Sequence, residues 1–128
     1  MSHFTRIKTR LVNKNYLLQA LKDLGFQPLV GNLKIRGYKG RKVQVEVRIR
    51  TKNRGYDIGF KKSGKAYELV ADWYGIKDID ADLLMSKVQQ RYAYHAVLNR
   101  MSEQGFEIVE QQSGKDRTIR LTVRRTVV

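Results

Sequence analysis

The chain has 128 residues and no cysteine, and its 26 lysines and arginines against 12 aspartates and glutamates give a formal net charge of +14. The length is that of one domain with a core of its own, so we predict a single domain over residues 1–128. Disulfides, thiolate metal sites and a cysteine nucleophile are excluded. We also expect no transmembrane segment, because no apolar run approaches ~18 residues, and no targeting leader.

The first forty residues predict a strand, a short helix and a loop-rich stretch. Residues 5–11 alternate between basic side chains and Thr, Ile or Leu, which is the period of a half-buried strand. Asn13 or Asn15 is placed to cap a short helix, and Gly25 to end it. Residues 27–40 contain short extended pieces and glycine turns.

Three successive strands are predicted in the middle of the chain, over residues 41–51, 57–61 and 66–73. Glycine turns separate them, which is typical of a β-meander. In the first of these strands, four apolar side chains share one face by strict alternation: Val43, Val45, Val47 and Ile49.

The last part of the chain predicts a long helix and a closing hairpin. Asp78 or Asp80 can cap a helix over residues 81–104. Residues 106–111 and 118–126 then form the hairpin, across a turn at residues 113–116. The expected fold is α+β, an antiparallel, meander-containing sheet with one long and one short helix packed on one face. Five residues from this pattern should be buried and in mutual contact: Val45, Val47, Leu69, Ile119 and Leu121.

Basic side chains occupy the outward positions of several predicted strands. They are Arg6, Lys8, Arg10, Lys42, Arg48, Arg50, Arg120 and Arg124. Alternation places Arg48 and Arg50 on a common face, and the same holds for each of the other rows. We predict that the rows lie side by side on one solvent-facing surface, which binds phosphates through charge and forked hydrogen bonds. The alternative is that these residues are the ordinary polar face of strands.

Two tyrosines lie between glycines and basic residues, Tyr38 in Arg36-Gly37-Tyr38-Lys39-Gly40 and Tyr56 in Arg54-Gly55-Tyr56. As exposed loop aromatics they would stack on nucleic-acid bases. The other interpretation is that they are turn residues packing over the sheet. The chain contains no RNA-recognition octapeptide and no zinc pattern.

Signs of catalysis are few. His3 and His95 lack the spacing of metal ligands, and His95 is interpreted as a hydrogen-bonded packing residue. Asp57, Glu68 and Asp72 can cluster on adjacent strands, where nearby Arg and Lys would pair with them. No nucleophile elbow, phosphate-binding loop or dinucleotide fingerprint is present. We therefore expect no enzyme, no catalytic residue, no metal and no cofactor.

Several segments together resemble a known family. They are Met1-Ser2-His3-Phe4, Gly55-Tyr56-Asp57-Ile58-Gly59-Phe60, Tyr67-Glu68-Leu69-Val70-Ala71-Asp72, Gln90-Arg91-Tyr92-Ala93-Tyr94, Gln104-Gly105-Phe106 and Thr118-Ile119-Arg120-Leu121. They are similar to the family of hypothetical chloroplast reading frame thirty-five, a domain of unknown function in cyanobacteria and in red-algal and related plastids. The resemblance implies the plastid stroma or the cyanobacterial cytoplasm. It brings no activity and no catalytic residue.

Three hypotheses for function follow. The first is a small accessory protein that binds RNA or a ribonucleoprotein through the cationic sheet face. The second is an assembly or regulatory factor that docks on an acidic protein surface, in a photosynthetic complex if the context of the family applies. The third is an enzyme that uses Asp57, Glu68 or His95.

Overall fold

A computed structural model describes residues 3–114 and 118–126 of the chain. Its elements in chain order are β1 (Phe4–Lys8), α1 (Lys14–Asp23), β2 (Leu29–Arg36), β3 (Lys42–Arg50), β4 (Asp57–Ser63), β5 (Ala66–Asp72), α2 (Ala81–Glu103), β6 (Phe106–Ser113) and β7 (Ile119–Arg125). Met1 and Ser2 of the first family-like segment lie outside the described residues, as do Lys115 and Asp116 of the expected last turn.

Side chains before each helix set where it begins. Asn13 caps α1 by accepting the Tyr16 backbone N–H at 3.1 Å, and Asp80 caps α2 by accepting that of Leu83 at 2.8 Å. Gly25, just past α1, has a φ of +91°, a conformation that glycine adopts without steric cost. The predicted helices are therefore confirmed, with bounds within two residues of those expected.

The main sheet has five strands in the order β1-β5-β4-β3-β2, with every neighbouring pair antiparallel. Strands β2 to β5 form a meander, and β1 pairs with the far edge of β5. Both helices pack on one face of this sheet, where Leu17 and Val88 join Val47, Phe60 and Leu69 in one buried cluster. The predicted α+β class and meander are confirmed.

The opposite face of the sheet is covered as well. Leu69, Val70 and Ala71 are consecutive in β5 and all are fully buried, although successive side chains of a strand point to opposite faces. Val70 belongs to a second cluster with Ile35 and Val45 from the β2–β3 hairpin. The end of that hairpin therefore lies over the face that the helices leave uncovered.

Two predictions about this hairpin need correction. β2 is a full strand, whereas the sequence predicted only short extended pieces; its pairing with β3 shifts register between Val30 and Leu33, which breaks the alternation there. Val45 was expected in contact with Val47, but the two residues belong to different clusters. The register shift lies opposite this part of β3.

Strands β6 and β7 form a separate two-stranded sheet. Ile119 and Leu121 are half-buried there and do not join the main core, so the predicted contact with Val47 and Leu69 is wrong. Alternation identified the strand correctly but could not show which sheet it joins. Among the helices of the described chain, none combines the length and apolar character needed to cross a membrane.

Candidate functional site

Two buried carboxylates lie where β4 begins and β5 ends. Asp57 is 1% exposed and Asp72 is fully buried. Their neighbours Ile58 and Ala71 pair across the two strands and face the helices, so both carboxylates point to the face that the hairpin covers. Buried ionised groups are stable only when hydrogen-bonded or paired, and each of these two has partners.

Arg36 satisfies Asp57. Its guanidinium donates from Nε to Oδ2 at 3.0 Å and from Nη2 to Oδ1 at 3.1 Å, and its backbone N–H donates to Oδ2 at 2.8 Å. Burial alone would raise the pKa of Asp57, but these hydrogen bonds and the positive charge outweigh it and lower the pKa below 3.8. The last residue of β2 is thereby held against β4.

Asp72 accepts one backbone N–H from each of two short 3₁₀ turns. The turn Tyr38–Gly40 donates through the Tyr38 N–H to Oδ2 at 2.8 Å, and the turn Trp73–Gly75 donates through the Tyr74 N–H to Oδ1 at 3.2 Å. One carboxylate therefore fixes the positions of two tyrosines that are far apart in the sequence.

Glycine permits this close approach. A Cβ on Gly37 would lie 2.7 Å from Phe4 Cζ and 2.9 Å from Asp72 Oδ2, closer than side chains pack. A Cβ on Gly75 would lie 2.0 Å from the Tyr56 ring. Both turns therefore sit directly on the atoms beneath them, and a side chain at either glycine would displace them.

The side chains above these turns form what we call the aromatic platform: the rings of His3, Tyr38 and Tyr74. His3 stacks on Tyr74 with 5.0 Å between centroids and a 17° angle between planes, while Tyr38 meets His3 edge-on at 4.9 Å and Tyr74 edge-on at 5.5 Å. These are favourable geometries for aromatic pairs. Tyr74 is 61% exposed, so the platform presents ring surface to solvent.

Two lysines flank the aromatic platform. Lys39 Nζ lies 5.4 Å from the centroid of Tyr38, and Lys77 Nζ lies 5.7 Å from that of Tyr74, both within cation–π range. Lys39 holds a left-handed backbone with a φ of 56°, which is uncommon outside glycine, asparagine and aspartate. The platform thus joins exposed ring surface to positive charge.

Tyr56 lies beneath the platform rather than in it. Its ring packs on Gly75, and its side chain is half-buried. Burial raises the pKa of Tyr56, and the nearby carboxylate of Asp72 raises it further. Of the two tyrosines named from the sequence, Tyr38 belongs to the platform and Tyr56 supports the turn, and both side chains are half-buried.

Within the described residues, the predicted cationic rows do not lie side by side on one face. Arg120 and Arg124 lie on β7 in the separate sheet, where Arg124 pairs with Glu107. Arg6 and Arg48 share a face of the main sheet, but Val70 and Gly59 lie between them in register. The β2–β3 hairpin packs on these two residues. The prediction of adjacent rows failed because alternation shows which face of its strand a residue occupies but not which strands lie next to each other.

The other predicted cations lie at the edges of this arrangement. Lys8 ends β1, Arg10 follows it, and Lys42 begins β3 opposite Arg36. Arg50 pairs in register with Asp57 and adds to the lowering of its pKa. Whether any of these residues binds an anion stays a prediction.

The residues considered for catalysis are placed apart. His95 Nε2 lies 2.6 Å from Asp23 Oδ2, linking α2 to α1, whereas Asp57 is paired with Arg36 on the other side of the sheet. Glu68 lies in register with Lys8 and Lys61. No group of three or more residues able to hold a metal ion occurs within residues 3–114 and 118–126.

Sequence reasoning missed His3 and Tyr74 as members of the site. A usable signal was present: each of Tyr38, Tyr56 and Tyr74 has a glycine directly beside it. Three of the family-like segments also meet at the site, since they contain His3, Tyr56, Asp57 and Asp72.

The fold and site describe a basic α+β protein that presents an aromatic platform held by buried carboxylates. A family model described as "Protein of unknown function (DUF1257)" matches residues 20–122, and the chain belongs to this family. It is 35% identical over 126 residues to the uncharacterized protein ycf35 of Cyanophora paradoxa and, over the same length, to that of Guillardia theta, covering 98% of each chain in both cases. It is 34% identical over 128 residues to ycf35 of Pyropia yezoensis, again with 98% of each chain covered.

These relatives are plastid-encoded proteins of algae. The expected family is thereby confirmed. No solved structure matches the chain.

Proposed function

We propose that this protein binds single-stranded RNA, free or in a ribonucleoprotein, through the aromatic platform and its flanking lysines. The observation that carries the proposal is the cluster of His3, Tyr38 and Tyr74, in which His3 and Tyr74 are exposed, with Lys39 and Lys77 beside it. Single strands are bound by aromatic side chains that stack on bases, next to cations that follow the phosphates.

The energies of such contacts suit the platform. Base stacking on one aromatic side chain contributes ~1–3 kcal/mol, and each phosphate contact adds a salt-dependent term. Tyr74 offers the largest exposed ring, while Asp72 fixes its turn before any ligand arrives. A net charge of +14 adds long-range attraction for a polyanion. We place this binding in the plastid stroma or the cyanobacterial cytoplasm, without catalysis.

The test is titration of a fluorescent single-stranded RNA of mixed sequence at several salt concentrations. Tyr74→Ala should weaken binding about tenfold through lost stacking. Lys39→Gln with Lys77→Gln should make the slope of log K against log salt shallower by ~1.4, the value for two phosphates. The matched control is Lys65→Gln with Lys87→Gln, two exposed lysines elsewhere on the surface, which should change the slope much less. The proposal that RNA binds at the platform would be overturned if both lysine pairs changed the salt slope equally, or if Tyr74→Ala left the affinity unchanged.

A second candidate function is assembly with another protein. A cavity of about 300 Å³ between α2 and the β6–β7 hairpin is lined by Gln90, Ala93, Tyr94, Val97, Thr118, Ile119 and Leu121. Val97 there is 40% exposed, and exposed apolar side chains are common at protein interfaces. A tagged pull-down with and without nuclease separates the candidates, because a protein complex survives nuclease and an RNA-dependent one does not.

A further inference from the structure

A cavity with two arginines on its wall lies between β3 and the segment that leads into β2. It has a volume of about 400 Å³ and is lined by Gly25, Phe26, Gln27, Pro28, Leu29, Arg48 and Arg50. Its size is within the range of small-molecule sites. None of these residues belongs to the aromatic platform.

Arg48 makes a hydrogen bond with one nitrogen of its guanidinium and leaves another without an acceptor. Its Nη1 donates to the backbone oxygen of Lys34 at 3.2 Å, which ties one end of the guanidinium to β2. Its Nε is shielded from water and has no hydrogen-bond partner. A buried donor without an acceptor costs ~1–3 kcal/mol, so such a group needs an explanation.

Arg50 lies two residues further along β3 and on the same face. The acid opposite it in register, Asp57, is already bound by Arg36 on both carboxylate oxygens. No ion pair of Arg48 or Arg50 occurs among residues 3–114 and 118–126. The cavity therefore has two positive charges on its wall, and within the described residues neither of them forms an ion pair.

The carbonyl end of α1 is near the cavity. The backbone oxygens of Ala20, Leu21 and Lys22 each accept one N–H group, from Leu24, Phe26 and Gly25, which offsets part of the negative charge at this end of the helix. Apolar side chains of Phe26, Pro28 and Leu29 also line the cavity.

We propose that this cavity binds a small phosphate monoester. Its phosphoryl oxygens lie between Arg48 and Arg50, and the carbon-bearing part of the ester lies against Phe26, Pro28 and Leu29. A phosphoryl group carries several acceptors and matches the fork of a guanidinium. The ester is favoured over free phosphate because the cavity is larger than one phosphate and half of its wall is apolar.

The test is calorimetric titration of the full chain with phenyl phosphate, inorganic phosphate and phenol. We expect saturable binding of phenyl phosphate at least tenfold tighter than of inorganic phosphate, and none of phenol up to about 5 mM. If inorganic phosphate binds with the same affinity as phenyl phosphate, the proposal of an ester site is wrong and the cavity is a site for free phosphate. The absence of saturable binding of either would overturn the site.

Variants locate the site and separate it from the platform. Arg48→Gln and Arg50→Gln should each weaken phenyl phosphate binding at least tenfold, and Arg50→Gln remains usable if Arg48→Gln unfolds. Arg54→Gln, which removes an exposed cation in the β3–β4 turn, and Tyr74→Ala should leave the affinity unchanged. An equal loss in Arg54→Gln would mean that general charge binds the ligand, and a loss in Tyr74→Ala would move the ligand to the aromatic platform; either result overturns the site.

Discussion

The carboxylate of Asp72 accepts the backbone N–H of Tyr38 at 2.8 Å, although 34 positions separate the two residues in the chain. Because Asp72 also accepts the Tyr74 N–H, a group in the sheet sets the distance between two rings of the platform. Such pre-organisation spares a ligand the entropic cost of ordering the site.

Asp72→Asn should therefore weaken both the fold and the platform. The amide keeps one acceptor but turns a donor toward a backbone N–H, which we expect to reduce the free energy of unfolding by about 1–3 kcal/mol. Chemical denaturation measures this, and RNA titration should show weaker binding. Glu68→Gln removes a carboxylate from the same strand and is the control. A variant as stable and as tight-binding as wild type would show that Asp72 does not anchor the turns.

Acid should release the Arg36–Asp57 pair. Because the folded pKa of Asp57 is below 3.8, the ionised carboxylate stabilises the fold above the unfolded pKa, and this stabilisation is lost as pH falls through the folded value. Arg36→Gln should cost about 2–3 kcal/mol at neutral pH, less than for a fully buried pair because the Arg36 side chain is 40% exposed. The cost should shrink below pH 3.8; urea unfolding of both proteins over pH 3–7 tests this, and a constant difference would contradict it.

Gly59→Ala should destabilise the protein through overpacking. The new Cβ would lie 2.5 Å from Val45 Cγ1, inside the second core, and we expect a loss of about 1–3 kcal/mol. Val45→Ala makes room for it, so the double variant should be more stable than the sum of the two single losses predicts. If the losses in free energy of unfolding were additive, residues 45 and 59 would not be in contact, and the hairpin would not lie over Gly59.

His95→Gln should loosen the contact between the helices. His95 Nε2 and Arg91 Nε both approach Asp23 Oδ2, at 2.6 and 2.8 Å, but these side chains are partly exposed, so we expect a loss of about 1 kcal/mol. Gln89→Ala, an exposed position on the same helix, should change stability by less than about 0.5 kcal/mol. Thermal unfolding compares the two, and equal shifts would contradict a specific role for His95.

Sequence periodicity predicted most of the fold and little of the site. Alternation in residues 43–49 and the caps at Asn13 and Asp80 are local, so they are readable without a structure. The hairpin that folds over Val70 cannot be predicted in this way. It depends on the register shift in β2 and on the absence of a side chain at Gly59, and both matter only through contacts with strands distant in the sequence. For the same reason Arg48 and Arg120 seemed neighbours although they lie in different sheets.

The platform also has a consequence for synthesis on the ribosome. His3 emerges before Tyr38 and Tyr74, yet β1, the strand that follows it, pairs with β5, whose last residue is Asp72, and Tyr74 follows later still. Until residue 75 has left the exit tunnel, the nascent chain cannot bring the three rings together, and Phe4 and Ile7 have no strand to pair with. Fragments that end before this point lack the platform, so ligand binding to it reports that the main sheet has closed.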